Sequence, residues 1–171
     1  DYKISGSVKK IKLNIFNQVK LQNLNFNFDI SDNIYSLKRI DMKLNKIDIT
    51  SSLIEIKKKK DLFFVNGQFS NDKENFNIED LKPFFANLFN IIDIRKIEFS
   101  SMNKFSFSFN ETLKFNNFKV ESIIDLNQLI INQKNLRLKN YFPNIVEEIK
   151  LKKHKIVLNY SKNKFNIKGS G

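Results

Sequence analysis

The residues best suited to catalysis are few, and the sequence does not arrange them as an active site. The chain contains one histidine and no cysteine among 171 residues. Without cysteine, neither a disulfide scaffold nor a thiolate metal site is possible. His154 lies in the basic stretch Lys152-Lys153-His154-Lys155, where neighbouring positive charge disfavours both the imidazolium and a bound cation. We therefore expect His154 to be a solvated side chain where a strand over 156–160 begins.

The carboxylates do not form a catalytic pair that the sequence identifies. Asp29, Asp41, Asp48 and Glu55 occupy alternating polar positions, each within a few residues of Lys or Asn. Two of them can approach across strands, but none is matched with a base or nucleophile in a known arrangement. The HExxH, GxSxG, P-loop and GxGxxG motifs are also absent. The sequence predicts no enzymatic activity, no metal and no cofactor.

The positive charge is a weak indication of nucleic-acid binding. The chain carries 30 Lys+Arg against 18 Asp+Glu, but it is also rich in Asn, Ile and Phe, all residues with A/T-rich codons. A sheet that stacks bases needs aromatic and basic side chains on one face. Here they alternate onto opposite faces, and the run 57–60 of four lysines fits a turn. We expect no nucleic-acid partner.

Alternation of apolar and polar residues dominates the chain and predicts strands. It is clearest in residues 24–30 and 105–110, where a period of two places the apolar side chains on one face. One solvent-exposed face favours antiparallel pairing. Polar segments at 32–33, 57–61, 71–75, 110–112 and 161–164 read as turns and divide the chain into about ten strands. We expect a mainly β fold in a single segment covering residues 1–171.

A second pattern, apolar-x-apolar-x-x-apolar-x-apolar, has two interpretations. It occurs at 19–26, 35–42, 42–49 and 113–120. A β-bulge would absorb the extra residue, keep the face constant and bend the strand. A short turn between two strands would produce the same pattern, and Asn116-Asn117 is the most turn-like of the four places. The pattern alone leaves both readings open.

One segment has helical rather than strand periodicity. Residues 80–92 place apolar side chains at helical spacing after two acidic residues, which favour a helix N-terminus. The predicted apolar face of this helix consists of Leu81, Phe84, Phe85, Leu88 and Ile92. A weaker helical candidate covers 135–141 and stops before Pro143. The longest uncharged apolar run, 84–92, is shorter than the about twenty residues that a membrane-spanning helix needs.

Three segments share the pattern aromatic-x-β-branched-x-Gly. They are Tyr2 to Gly6, Phe63 to Gly67 and Phe165 to Gly169. Glycine inside a strand marks a bend or a close approach of another group. Because the pattern recurs near both ends, we expect the chain to be one unit of a longer repeat array.

The apolar face of the predicted sheet requires a cover. Ten strands about 4.8 Å apart span about 45–50 Å, whereas a helix about 10–12 Å wide covers two or three strands. The rest of the face is buried in a closed sandwich or barrel, or it forms an open, curled trough that holds acyl chains. Periodicity favours the closed core slightly and does not exclude the trough.

Four features occur together in this sequence: the one-sided strands, the bulge-like breaks, the aromatic-x-apolar-x-Gly strands and the Tyr141-Phe142-Pro143-Asn144 break. Together they resemble the AsmA-like superfamily, and YhdP-like proteins in particular, with TamB-like proteins more distant. The resemblance implies a long, strongly twisted and curled antiparallel sheet, a β-groove, with one or two short amphipathic helices. It implies a periplasmic segment of a Gram-negative envelope protein, anchored in the inner membrane through a part not in this chain. Its partners would be phospholipid acyl chains and adjacent repeats of the same polypeptide.

On this basis the sequence predicts a non-catalytic groove that conducts phospholipid between the inner and outer membranes. The alternative function is a structural or adhesive β-domain with a closed core, and a nucleic-acid-binding module is a weaker one. The predicted groove lining is Leu24, Phe26, Phe28, Ile30, Met42, Leu44, Phe105, Phe107, Phe109, Phe115 and Phe118.

Overall fold

The computed structural model describes residues 2–15, 19–72, 75–132 and 138–171, with side chains at all of these except 15, 84–88, 91 and 138. Nine strands form one sheet, and a helix α1 (Ile78–Ile91) lies between the fifth and sixth strands. The strands are β1 (Lys3–Ile15), β2 (Val19–Ser31), β3 (Ile34–Leu44), β4 (Ile47–Lys59), β5 (Leu62–Asn71), β6 (Asp93–Asn110), β7 (Phe115–Asn132), β8 (Glu148–Ser161) and β9 (Lys164–Ser170).

The topology is an antiparallel meander. Each strand pairs with the strands that precede and follow it in the chain. The first and last strands are not paired with each other, so the sheet is not closed into a barrel. The prediction of a mainly β, antiparallel architecture is confirmed, with nine described strands instead of ten. Of the weaker helical candidate, Leu138–Asn140 forms one 3-10 turn, and 135–137 lie outside the described residues.

The register separates an apolar face from a polar face across all nine strands. Residues directly opposite each other on neighbouring strands point to the same side of a sheet. One row of such residues defines the apolar face: Gly6, Phe28, Leu37, Ile54, Gly67, Phe105, Val120, Tyr160 and Phe165. The adjacent row defines the polar face: Ser5, Asp29, Ser36, Glu55, Asn66, Ser106, Lys119, Ser161 and Lys164.

Bulges explain three of the four places where the alternation shifts by one residue. Asn23, Arg39 and Asn117 have positive φ inside β2, β3 and β7, beside shifts in register. The extra residue is thereby absorbed, and the apolar side chains on both sides of it stay on one face. The fourth place, 42–49, is the turn between β3 and β4. The prediction that Asn116-Asn117 is the most turn-like place was wrong. On β6, Ser108 pairs with Asn116 and Ser106 pairs with Lys119, so the β6–β7 ladder continues past Asn117.

Helix α1 lies at one end of the sheet, near the β3–β4 turn at Asn45 and Lys46, and we call this the helix end. The opposite end contains the β4–β5 turn at Lys60 and Asp61 and the loop 111–114 between β6 and β7, and we call it the hairpin end. The predicted helix at 80–92 is confirmed in place and begins two residues earlier, where the Asn77 side chain accepts a hydrogen bond from the Glu79 N–H at 3.0 Å. Lys46 in the β3–β4 turn and Asp80 form an ion pair at 3.5 Å, and α1 contacts β6. Leu81 on the helix is 3% exposed.

Candidate apolar binding surface

Six phenylalanine rings gather on the apolar face at the hairpin end. We call them the phenylalanine cluster: Phe63, Phe105, Phe107, Phe109, Phe115 and Phe118. The rings of Phe63 and Phe109 stack with centroids 4.9 Å apart. Phe107 lies 5.6 Å from Phe115 and 6.2 Å from Phe118. Separations of this size allow direct aromatic contact, so the cluster is one continuous surface.

Strand register and one bulge position the cluster. Phe105, Phe107 and Phe109 share a face because they alternate along β6. Phe115 and Phe118 are three residues apart on β7 and would lie on opposite faces in a regular strand. Asn117, with φ 55°, is the bulged residue between them, and its side-chain amide donates to the Ser108 hydroxyl at 3.3 Å on the polar face. The bulge therefore brings Phe118 to the side of Phe115.

On β6 and β7 the apolar face is buried towards the helix end and exposed at the hairpin end. Leu126 and Ile94 are 4% and 8% exposed, whereas Phe115 and Phe118 are 62% and 48% exposed. An open cavity of about 710 Å³ adjoins the exposed rings. It is lined by Phe107, Phe115, Asn116, Asn117, Phe118, Lys119, Tyr160, Lys162 and Asn163. An apolar floor with cations at its margin suits an apolar ligand that carries a negative group.

Lysines also lie over the rings at the hairpin end. The Lys58 ammonium is 5.2 Å from the centroid of Phe63, and that of Lys59 is 6.0 Å from the centroid of Phe64. Lys58 is additionally paired with Glu111 at 3.3 Å in the loop between β6 and β7. These contacts hold cationic groups at the border between the aromatic surface and water.

The predicted lining residues all lie on the apolar face, in two separate groups. Five of them belong to the phenylalanine cluster, and the other six are on β2 and β3: Leu24, Phe26, Phe28, Ile30, Met42 and Leu44. β2 and β6 are four strands apart, about 19 Å. The two groups therefore share a face without direct contact. Of the predicted helix face, Leu81 is buried and Ile92, one residue after α1 ends, is half-buried; the side chains of Phe84, Phe85 and Leu88 lie outside the described residues.

The sequence interpretation missed several aromatic residues of this surface. Phe63 joins the cluster, and the ring of Phe69 stacks on Phe105 at 4.7 Å. Tyr160 lies 6.0 Å from Phe118. Phe63 begins an aromatic-x-apolar-x-Gly segment. Its alternation with Val65 and Gly67 is the sequence signal that places it on the same face as that glycine.

A band of polar side chains crosses the apolar face between its two ends. It consists of Ser51, Asn71, Ser101, Asn103 and Ser122. The Ser101 hydroxyl donates to the Asn71 side-chain oxygen at 2.5 Å, and the Asn103 amide donates to the Ser101 oxygen at 2.9 Å. The expectation that polar residues lie only on the opposite face was wrong here. These hydrogen bonds satisfy polar groups of Asn71, Ser101 and Asn103, whereas the Ser51 hydroxyl is buried without a hydrogen-bond partner among the described residues.

His154 is also placed differently from the prediction. It lies inside β8, on the apolar face opposite Leu126, and it is half-buried instead of solvated. Its Nδ1 is 2.8 Å from the Lys152 carbonyl oxygen. The residue before it, Lys153, has φ 56° and forms a bulge, which places both Leu151 and His154 on the apolar face although they are three residues apart.

The carboxylates occupy the polar face as expected, where they form cross-strand contacts. Asp29 accepts hydrogen bonds from the Lys38 ammonium at 2.7 Å and from the Ser5 hydroxyl at 2.6 Å. These two bonds hold the pKa of Asp29 below its usual value. Lys43 pairs with Asp48 at 2.5 Å in the same way. Such contacts stabilise a solvated sheet face.

Two further findings concern the part of the chain that the structure describes. Its helices include none with the length and apolarity needed to cross a membrane. Its His, Asp and Glu side chains include no group of three that could hold a metal ion. Comparison of the chain with protein-family models, with curated proteins and with solved structures finds no match.

Proposed function

We propose that this chain is a non-catalytic segment of a bacterial envelope protein that conducts phospholipid along its apolar face. The observation that carries the proposal is the phenylalanine cluster, whose rings Phe115 and Phe118 on β7 are about half exposed, whereas Leu126 on the same strand is buried. Contiguous exposed aromatic surface of this kind is uncommon unless it binds something.

The dimensions of the exposed surface suit an acyl chain. The apolar face between the polar band and the hairpin end follows β6 from Asn103 to Asn110, about 20 Å at the rise of a strand. An acyl chain within one leaflet of a bilayer spans about 15 Å. Each methylene group removed from water contributes about 0.8 kcal/mol, so binding and passage need no chemical step.

The bulges support a curled sheet. Asn23 and Arg39 lie in adjacent strands, Lys10 has positive φ in the next strand, and a register shift continues in β4. A bulge bends its strand and increases the local twist. Bulges aligned across four strands would therefore crease this half of the sheet, and the same device at Asn117 and Lys153 would curl the other half. We infer a twisted, curled groove from this alignment.

The lysines at the hairpin end supply a place for the phosphate of the headgroup. Lys119 and Lys162 border the open cavity, and Lys58 lies over Phe63 of the cluster, whereas Lys59 and Phe64 lie on the polar face. An anionic phosphate beside these ammonium groups would gain charge-assisted hydrogen bonds while the acyl chain remains on the rings. The location that fits this function is the periplasm, with attachment to the inner membrane made by parts of the protein outside this chain and with adjacent repeats of the same polypeptide as partners of this segment.

The rival functions fit the surface less well. A structural β-domain with a closed core needs a second layer over the hairpin end, and the described strands form one sheet whose edge strands are unpaired with each other. A nucleic-acid module needs rings among the basic side chains of one face. Around the phenylalanine cluster the basic side chains lie at the margin, as Lys58 does beside Phe63, and Lys104 on the same strand as Phe105 lies on the opposite face.

Native mass spectrometry and lipid extraction of the purified chain test the proposal. We expect phospholipid to co-purify with the wild type, and we expect Phe118→Asp to fold but lose the lipid. Met102→Asp is the matched control, because Met102 is 42% exposed and lies on the polar face, whereas Phe118 is 48% exposed on the apolar face. A lipid-free wild type, or equal loss of lipid in the two variants, would contradict the proposal.

A further inference from the structure

The three aromatic-x-β-branched-x-Gly segments occur on every fourth strand. They lie on β1, β5 and β9, and each glycine is on the apolar face. The regular spacing means that the sheet contains two four-strand groups, β1–β4 and β5–β8, followed by the first strand of a third group. Sequence spacing does not show this periodicity, because Gly67 is farther from Gly169 along the chain than it is from Gly6. The longer separation is due to α1 and to the longer strands of the second group.

The strand that precedes each glycine strand repeats as well. Gly67 on β5 lies opposite Ile54 on β4, and Gly169 on β9 lies opposite Ile156 on β8. Two residues away, an aliphatic pair follows in both places, Val65 with Ile56 and Ile167 with Leu158. β9 is therefore attached to β8 in the same register as β5 to β4.

The strand that follows a glycine strand places a phenylalanine ring over the glycine. Gly6 lies opposite Phe28, and Gly67 lies opposite Phe105. A Cβ atom built on either glycine would be 2.5 Å from the ring of that phenylalanine. The ring thus occupies the space that a side chain would need. At Gly169 the same position is open, since the nearest atom is the Lys155 carbonyl oxygen at 4.0 Å.

The exposure of β9 shows what a following strand would cover. Val65 on β5, which has neighbours on both sides, is 4% exposed. Its counterpart Ile167 on β9 is 59% exposed, and Phe165 is 57% exposed. Among the described strands β9 is paired with β8 alone, so its outward backbone groups are placed to form another ladder.

We propose that the edge of β9 binds one more antiparallel strand of the β6 type, in the register that places a phenylalanine ring on Gly169. The partner is an extended segment with phenylalanine at every second position, not a second copy of this chain. A second copy joined through its β1 edge would present Ile4, Gly6 and Val8 and bring no ring to Gly169, and a second copy joined through its own β9, which would bring Phe165 there, is distinguished by the dimer outcome of the test. The inference goes beyond lipid conduction and does not depend on it.

The test uses the full chain and a synthetic peptide with the sequence of residues 103–111, which contains Phe105, Phe107 and Phe109 of β6. We expect the outward backbone amides of β9 to gain protection from hydrogen exchange when the peptide is added. A peptide with Phe105→Ala should bind at least about fivefold more weakly, because it lacks the ring that covers the glycine. Gly169→Val in the chain should weaken binding of the unmodified peptide by a similar factor.

Ser170→Val is the matched control, because Ser170 lies on the same strand with its side chain on the opposite face. This variant should bind the peptide as the wild type does. Absence of β9 protection at saturating peptide would overturn the proposal, as would equal affinities for the Phe105→Ala and unmodified peptides. A dimer of the peptide-free chain with protected β9 amides would overturn it in favour of a second copy.

Discussion

Gly67→Ala probes whether glycine in the centre of the sheet exists to admit a phenylalanine ring. The new Cβ would be 2.5 Å and 2.9 Å from two carbon atoms of Phe105 and 3.0 Å from Cγ1 of Ile54. The ring cannot simply turn aside, because it stacks on Phe69 at 4.7 Å and has Phe107 on its other side at 6.1 Å. Accommodation therefore requires a shift of the ring stack or of the β5 backbone.

The magnitude follows from two opposing contributions. Overpacking a fitted site costs about 1–3 kcal/mol. Replacement of glycine by alanine restricts the unfolded chain and returns about 0.4–1 kcal/mol. We expect Gly67→Ala to lower the free energy of unfolding by about 1–2 kcal/mol, which lowers the melting temperature by about 2–8 °C for a chain of this size. Gly169→Ala is the matched control and should be neutral or slightly stabilising, because its Cβ meets open space.

Urea unfolding followed by far-UV circular dichroism measures these differences. A double-mutant cycle with Phe105→Ala then isolates the cause. In the Phe105→Ala background, Gly67→Ala should no longer destabilise, since the space under the ring is free. Equal effects of Gly67→Ala and Gly169→Ala, or strict additivity with Phe105→Ala, would refute the reasoning.

Three further predictions concern the polar face, a bulge and the helix. Lys38→Met should raise the pKa of Asp29, measured by NMR titration. Since the folded-state pKa of Asp29 is lowered, its contribution to stability is present at neutral pH and is lost as the pH falls through that pKa. Lys38→Met should reduce this acid dependence. An unchanged titration of Asp29 would contradict the hydrogen bond from Lys38. Lys153→Gly should be more stable than Lys152→Gly by about 1 kcal/mol in urea unfolding, because only Lys153 has φ of 56°, and equal stabilities would argue against the bulge. Leu81→Ala should cost about 2–5 kcal/mol by the same assay, because this side chain is 3% exposed, and a cost below 1 kcal/mol would mean that α1 does not pack as described.

The sequence predicts the faces of the strands well where alternation is uninterrupted. The residues from Leu24 to Ile30 are one example, because a strand with one solvent-exposed face allows no other placement. The position of α1 was likewise predictable from its apolar spacing. The sequence also contains a signal for the beginning of the helix, because Asn77 is a preferred N-terminal capping residue, but the predicted helix began three residues after it.

Prediction failed where one residue decides between a bulge and a turn. Asn45 and Asn117 both have positive φ, and both follow the same apolar pattern, yet the first lies in a hairpin turn and the second inside β7. The choice depends on whether the neighbouring strand continues past that point, which is a tertiary property. The prediction for His154 was wrong for a related reason. When the bulge at Lys153 is not recognised, strict alternation assigns His154 to the face opposite that of Leu151, whereas both lie on the apolar face.

The candidate site was predictable in part. Alternation along β6 identified Phe105, Phe107 and Phe109, but it did not indicate which part of the apolar face α1 would cover. The polar band through Asn71 and Ser101 was also unpredictable, because single polar residues in different strands become one feature only through register. The four-strand periodicity of the glycines depends on register in the same way.

Photo-crosslinking with a phospholipid that carries a diazirine on its acyl chain tests the central claim most directly. The chain would be irradiated with vesicles of this lipid, and the labelled residues mapped by mass spectrometry. We expect labels on the exposed aromatic residues of the apolar face at the hairpin end, Phe107, Phe115 and Phe118 above all. Labels spread equally over polar-face residues such as Met102, or the absence of labels on the phenylalanine cluster, would contradict it.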